Sequence, residues 1–413
     1  MRIWAFPSFY PIDRPGYSFY GIFAHRQYKG LIENGAELKV IVPVAWSPIY
    51  PLSLLHPQWK RLTGIGYPKE RVYDGIKVYQ PRVPNYKPSR LHKKSYPDRY
   101  VDTIIKFFSD NKIKLDPARD VFYSQWLPDS ALVQIAAHKL GLKSAILSIG
   151  DDVVQWPHSN EHNNKLFKKT MNEADLIFSC ANYLGREANK VLGKDLPFYA
   201  VRWGVDHSFF KPVKEDEQIA LKKQYNIAPE RLVILNIGTA SPRKGWLELF
   251  EAMAEVKKVN SNFVIVAVHT GAPQFDFNEE TSKRGLVENF IDLGEVNPRN
   301  LNKVYNMADI FCLPSHSEGM ANVVVEACSS GLPVITTTVG GHSELINSGQ
   351  NGVLIPPQQS SILAENLLDL LQDPDKRKRY GLAARYSILD NWGNYAESTK
   401  VVYDQLLQLC KGQ

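Results

Sequence analysis

Residues 310–338 read IFCLPSHSEGMANVVVEACSSGLPVITTT. Two short β-branched runs, IFCL and VITTT, bracket a loop and a helical stretch. Apolar runs of this kind are strands buried on both faces, as in a parallel sheet. The helix is expected to begin near Ala321 or Asn322, and Ser329-Ser330-Gly331 ends it. Two glutamates, Glu318 and Glu326, lie in this unit with seven residues between them. Glu318 is followed by a glycine, Gly319. Glu326 sits among valines and alanine, where a charge is costly unless it is paired. A helix N-terminus in such a turn presents free N–H groups and favours an anion. Gly319 lets a ligand approach the backbone. Glu326, four residues after Asn322, shares its face and could accept hydrogen bonds from vicinal hydroxyls, as an acidic residue does for a ribose. Anion plus diol describes a nucleotide-linked sugar. A capping glutamate and a satisfied buried one is the plainer reading of the pair alone.

The same alternation of strand and helix extends outward. Further runs are LKVIV (38–42), AILSI (145–149), LIFS (176–179), LVILNI (232–237) and FVIVAV (263–268). IWAF (3–6) opens the first sheet. Helical periodicity marks LELFEAMAEVKKV (247–259) and residues 401–409. The class is α/β. A chain of 413 residues exceeds one ordinary core, so two doubly wound, Rossmann-like domains are expected, facing across a cleft. The boundary falls near Trp203-Gly204-Val205-Asp206, giving domains 1–205 and 206–390 and a final segment 391–413. Residues 48–100 are rich in Pro and Tyr and weakly periodic, which reads as a long insertion in the first domain.

Composition narrows the function. Hydrophobic residues make 44% and charged residues 22%, as in a globular protein rather than a disordered chain. No run of 18 apolar residues occurs, and the start, MRIWAFPSFYP, is too short for a signal peptide or a spanning helix. The four cysteines form no C-x-x-C pair. A reducing, cytoplasmic setting is the expectation. The net charge of +6 hides an asymmetry: residues 1–205 carry +11 and the rest −5. Residues 60–99 hold eleven Lys and Arg against Glu70, Asp74 and Asp98, interleaved with Tyr67, Tyr73, Tyr79, Tyr86 and Tyr96. This stretch reads as a solvated face, as a seat for a polyanion, or as a contact with anionic lipid at the inner face of a membrane. Basic stretches with aromatics also bind single-stranded nucleic acid, but no nucleic-acid module accompanies this one, so no such partner is expected.

Two more turns belong with the glutamates. Gly238-Thr239-Ala240-Ser241-Pro242-Arg243-Lys244-Gly245 follows the strand LVILNI, and Lys244 with Arg243 could neutralise a departing diphosphate. A basic solvated turn is the alternative. Val339-Gly340-Gly341-His342-Ser343-Glu344 is a second strand–glycine–helix turn suited to phosphate or sugar contact. The pair Asp151-Asp152 could suggest a metal, but capping of a loop or orientation of a hydroxyl fits better. His158, His162 and His207 have no ligand spacing, and no metal site is expected.

Together these segments resemble the donor-binding half of the retaining glycosyltransferases of family four, with the GT-B fold. The resemblance runs through Ser241–Gly245, Tyr305-Asn306-Met307-Ala308-Asp309, residues 313–346 and Asn351-Gly352-Val353-Leu354-Ile355-Pro356-Pro357. The E-x7-E spacing, the Gly-Leu-Pro-Val and the Gly-Gly-x-x-Glu stand in the family's order. Looser likeness extends to Phe9-Tyr10-Pro11 with Gly16 and to residues 203–212. The resemblance implies that Glu326 binds the ribose and that Glu318 lies by the donor sugar. It implies that Gly319, Met320, Ala321 and Asn322 hold sugar hydroxyls and phosphate, with Gly238 beside them. Lys244 would contact the diphosphate, and Gly16 would lie near it. Asp152 would match an aspartate of the first domain, and the last helix would pack back on that domain. Three positions depart from the family pattern: Thr239 stands for an arginine, Ile149 for a histidine and Trp203 for an asparagine.

The expected function is transfer of a sugar, with retention and without metal or other cofactor, from a nucleotide diphosphate sugar to a glycan or lipid-linked acceptor of the cell envelope or capsule. An epimerase or phosphorylase-like enzyme of the same fold, and a non-catalytic nucleotide-sugar or polyanion binder, are the alternatives.

Overall fold

The computed structural model describes residues 1–11, 21–46, 68–85 and 94–412. They divide into two compact units. Described residues up to Val201, with those from Thr399 onward, form the first; Arg202–Ser398 form the second.

The first unit is built on an eight-stranded sheet. Its strands are β1 (Arg2–Phe6), β2 (Glu37–Ile41), β4 (Glu70–Tyr73), β5 (Ile76–Tyr79), β7 (Asp120–Gln125), β8 (Lys143–Ser148), β9 (Leu176–Ser179) and β10 (Tyr199–Ala200). Their order is β10-β9-β8-β7-β1-β2-β5-β4. All pairs are parallel except β4 with β5, an antiparallel edge. A small pair, β3 (Val44–Trp46) and β6 (Arg82–Pro84), stands beside it. Trp4, Phe6, Phe108 and Phe122 fill the core on one face. Each such ring removed from water contributes about 1.5–3 kcal/mol. Residues 70–84, within the stretch that reads as a long insertion, supply β4, β5 and β6. The strands ERVY and IKVY are short and half exposed, so their sequence carries little apolar signal.

The helix Tyr395–Lys411 ends the chain, and its residues from Thr399 onward count with the first unit. Thr399, Val402, Leu406 and Cys410, spaced three or four apart, are its buried stripe. Asn34 Nδ2 donates to Thr399 Oγ1 at 3.2 Å.

The second unit is a six-stranded, wholly parallel sheet of β11 (Leu232–Thr239), β12 (Phe263–Thr270), β13 (Phe290–Asp292), β14 (Ile310–Leu313), β15 (Val334–Thr337) and β16 (Val353–Ile355). Its order is β13-β12-β11-β14-β15-β16. The helix Trp246–Lys257 lays Trp246, Leu249, Phe250, Met253 and Val256 on this sheet. That spacing of three, one, three and three is the apolar stripe of an amphipathic helix. Leu363, Leu367, Leu370 and Leu371 of the helix Ser360–Gln372 complete the layer.

Candidate functional site

The order of the second sheet reverses at β11. The chain steps one way to β12 and β13, then returns to the other side for β14, β15 and β16. Loops leaving β11 and β14 therefore part at the carboxyl edge, where a crevice opens. The basic turn and Glu318 lie on these loops, and Glu326 on the helix that follows the second.

Backbone contact fixes the loops to one another. Gly245 has φ of 72°, and a Cβ there would stand 2.0 Å from the Pro314 carbonyl oxygen. His316 N donates to the Arg243 carbonyl at 2.8 Å, and Arg243 Nη1 donates to the Ser317 carbonyl at 2.8 Å. A third loop, after β15, joins them. A Cβ on Gly340, at φ of 60°, would meet the Glu318 carbonyl oxygen at 2.3 Å. Gly341 N donates to the Gly319 carbonyl at 2.7 Å.

Inside this clasp Lys244 Nζ donates to Glu318 Oε1 at 2.6 Å, and Ser315 Oγ donates to the same oxygen at 2.7 Å. Burial of Glu318 pushes its pKa up, but the Lys244 charge and these hydrogen bonds outweigh it and hold the carboxyl below its ordinary range. At neutral pH the two form an ion pair. His342 is wholly buried nearby. Its Nδ1 lies 3.0 Å from Thr336 Oγ1 and 3.2 Å from the Thr337 carbonyl. Burial pushes its pKa down.

The helix Asn322–Ser329 starts directly after Gly319-Met320-Ala321. No side chain caps it among the described residues, and its first turn carries no acidic residue. Glu326, one turn in, is 4% exposed. The Tyr305 hydroxyl donates to Glu326 Oε2 at 2.8 Å. So the carboxylate in the apolar run has a protein partner, supplied by the helix Leu301–Met307. Gly238 ends the inner part of β11, where a Cβ would only touch the Lys244 methylenes at 3.5 Å. The structure thus brings Gly238, Arg243, Lys244, Glu318, Gly319, Met320, Ala321, Asn322 and Glu326 into one unit, on loops and a helix of one sheet edge.

Asp152 belongs to the first unit. It is wholly buried in the turn after β8. Its Oδ1 accepts from Gly150 N at 2.8 Å and Ile149 N at 3.1 Å, and its Oδ2 has no partner among the described residues. Burial raises its pKa to about 7 against those two hydrogen bonds. The carboxyl is engaged with its own loop. Gly16 lies outside the described residues. Among the described residues no group of three or more His, Cys, Asp and Glu could hold a metal ion.

Sequence reasoning missed Ser315, the roles of Tyr305 and His342, and the glycine clasp. Ser315 carried a signal, three residues before Glu318 on the same loop. The others depend on contacts between segments distant in the chain.

Residues 217–386, which lie within the second unit, match the family described as glycosyl transferases group 1. The chain has the GT-B fold: sucrose-phosphate synthase from Thermosynechococcus elongatus superposes with a TM-score of 0.76 at 17% identity, over 98% of this chain and 99% of that one. The Anabaena protein HepE, solved in complex with UDP, superposes with a TM-score of 0.73 at 17% identity and the same coverage. Among curated relatives, TuaC of Bacillus subtilis, whose name assigns it to teichuronic acid biosynthesis, is 26% identical over 366 residues, 88% of each chain. A GDP-mannose-dependent alpha-(1-6)-phosphatidylinositol monomannoside mannosyltransferase of Mycolicibacterium smegmatis is 24% identical over 269 residues, 63% of this chain and 70% of its own. No helix among the described residues is long and apolar enough to cross a membrane.

Proposed function

We propose that this chain is a retaining, metal-independent glycosyltransferase. It moves a sugar from a nucleotide diphosphate sugar to a hydroxyl of a glycan or lipid-linked acceptor in envelope or capsular polysaccharide synthesis. The observation that carries the reading is the buried Lys244–Glu318 ion pair at the switch point of a parallel sheet. A diphosphate entering the crevice competes with Glu318 for the Lys244 ammonium. As the bond from the anomeric carbon to the diphosphate breaks, charge grows on the leaving oxygen. Lys244, Arg243 and the start of the helix Asn322–Ser329 offset it. Glu318, relieved of its cation, accepts from the sugar hydroxyls. Glu326, oriented by Tyr305, accepts from the ribose hydroxyls.

The UDP complexes of HepE support a nucleotide-sugar donor. Relatives named for teichuronic acid and phosphatidylinositol-mannoside synthesis support an envelope acceptor. Basic residues of the first unit suit an acidic glycan or an anionic membrane face. Transfer assays with radiolabelled UDP-, GDP- and ADP-sugars in EDTA test the proposal. Acceptor-dependent, EDTA-resistant transfer with retained anomeric configuration is expected. Inversion at the anomeric carbon or strict metal dependence would contradict it.

A further inference from the structure

The first unit holds a cavity of about 720 Å³ that the proposed transfer leaves unused. It lies between the ends of β5 and β6 and the carboxyl half of the helix Tyr96–Asp110. Its size is that of a small-molecule site. Tyr79 and Phe107, with ring centroids 5.0 Å apart, form an aromatic wall. Gln80 lines it from within the fold, 2% exposed, and its Oε1 has no partner among the described residues.

Charge gives the cavity its preference. Lys69, Arg82 and Lys106 line it together with Glu70 and Asp110. Glu70 is offset by Lys77, 3.2 Å away. Lys69 and Lys106 make no ion pair among the described residues, so the lining is cationic on balance. An acyl chain would meet these charges. A neutral sugar would use the rings and the amide and leave Lys69 and Lys106 unmatched. A sugar ring bearing a carboxylate uses all three: its C–H face on the rings, its hydroxyls on the amide, its charge on Lys69 and Lys106.

We propose that this cavity binds an acidic sugar segment of the acceptor glycan and holds the polymer during transfer. The proposal rests on the glycan-acceptor reading above, and it assigns a site outside the residues given to the donor.

The test is calorimetry on the full chain with trigalacturonate as carboxylated probe and maltotriose as neutral counterpart, at low and high salt. Lys69→Glu/Lys106→Glu reverses two exposed side chains, and nucleotide affinity on the same sample reports that the protein is folded. Trigalacturonate should bind about tenfold more tightly than maltotriose, lose about tenfold in the double variant and weaken with salt. Equal affinity for the two probes, no binding of either, or affinity untouched by the double variant would overturn the proposal. Nucleotide binding and sugar transfer are read separately. A protein that holds trigalacturonate at this cavity but transfers nothing would refute the transferase reading and leave the site standing.

Discussion

Glu318 and Glu326 meet the same desolvation cost in different ways. Glu318 has a cation and a hydroxyl on one oxygen; Glu326 has the Tyr305 hydroxyl. Lys244→Ala should lower turnover by about a hundredfold, more than it weakens donor affinity, because the lysine acts on charge that grows during reaction. Steady-state kinetics with the donor varied separates the two effects. Tyr305→Phe removes one donor from a buried carboxylate and should cost about 1–3 kcal/mol in urea unfolding. The pKa shifts give opposite signs. Glu318 is held below its unfolded value, so its contribution is present above that value and is lost as pH falls through the folded pKa. Asp152 is raised from 3.8 to about 7, so the native state holds its proton more firmly and stability declines as pH rises from about 4 towards 7. Asp152→Asn keeps the acceptor for Gly150 N and Ile149 N and removes that titration. Urea unfolding at pH 5 and pH 8 should show a smaller pH dependence in the variant; an unchanged dependence would mean that Asp152 ionises freely.

At the level of elements, the site is three loops closed on one another by backbone. Gly245→Ala and Gly340→Ala would each place a Cβ against a carbonyl, 2.0 and 2.3 Å away, at positive φ. Each should cost more than about 1 kcal/mol from the left-handed backbone alone and should weaken nucleotide binding. Gly238→Ala meets only lysine methylenes at ordinary distance and should be tolerated. This contrast shows where the sequence was legible. The strands β14 and β15 and the helix between them were readable because continuous apolar runs declare burial on both faces. The clasp was not, because Gly340 meets Glu318 and Gly245 meets Pro314 across turns that no local pattern links. Residues 70–84 were unreadable for a related reason: β5 owes its place to pairing with β2, and its own sequence, IKVY, alternates too briefly to declare it.

The whole molecule divides its charge as it divides its chain, +11 in residues 1–205 and −5 beyond. The proposed donor site lies in the acidic part, so its affinity for a diphosphate rests on a few placed cations and a helix end rather than on a general positive field. Nucleotide binding should therefore respond sharply to Glu326, and acidic-glycan binding to Lys69 and Lys106. The most direct test of the central claim is calorimetric titration of the full chain with UDP, GDP and ADP in EDTA, repeated on Glu326→Ala. Micromolar binding of one nucleotide without metal, lost by tenfold or more in the variant, is the predicted result (about 1.4 kcal/mol). Failure to bind any of the three, or equal binding by Glu326→Ala, would contradict it.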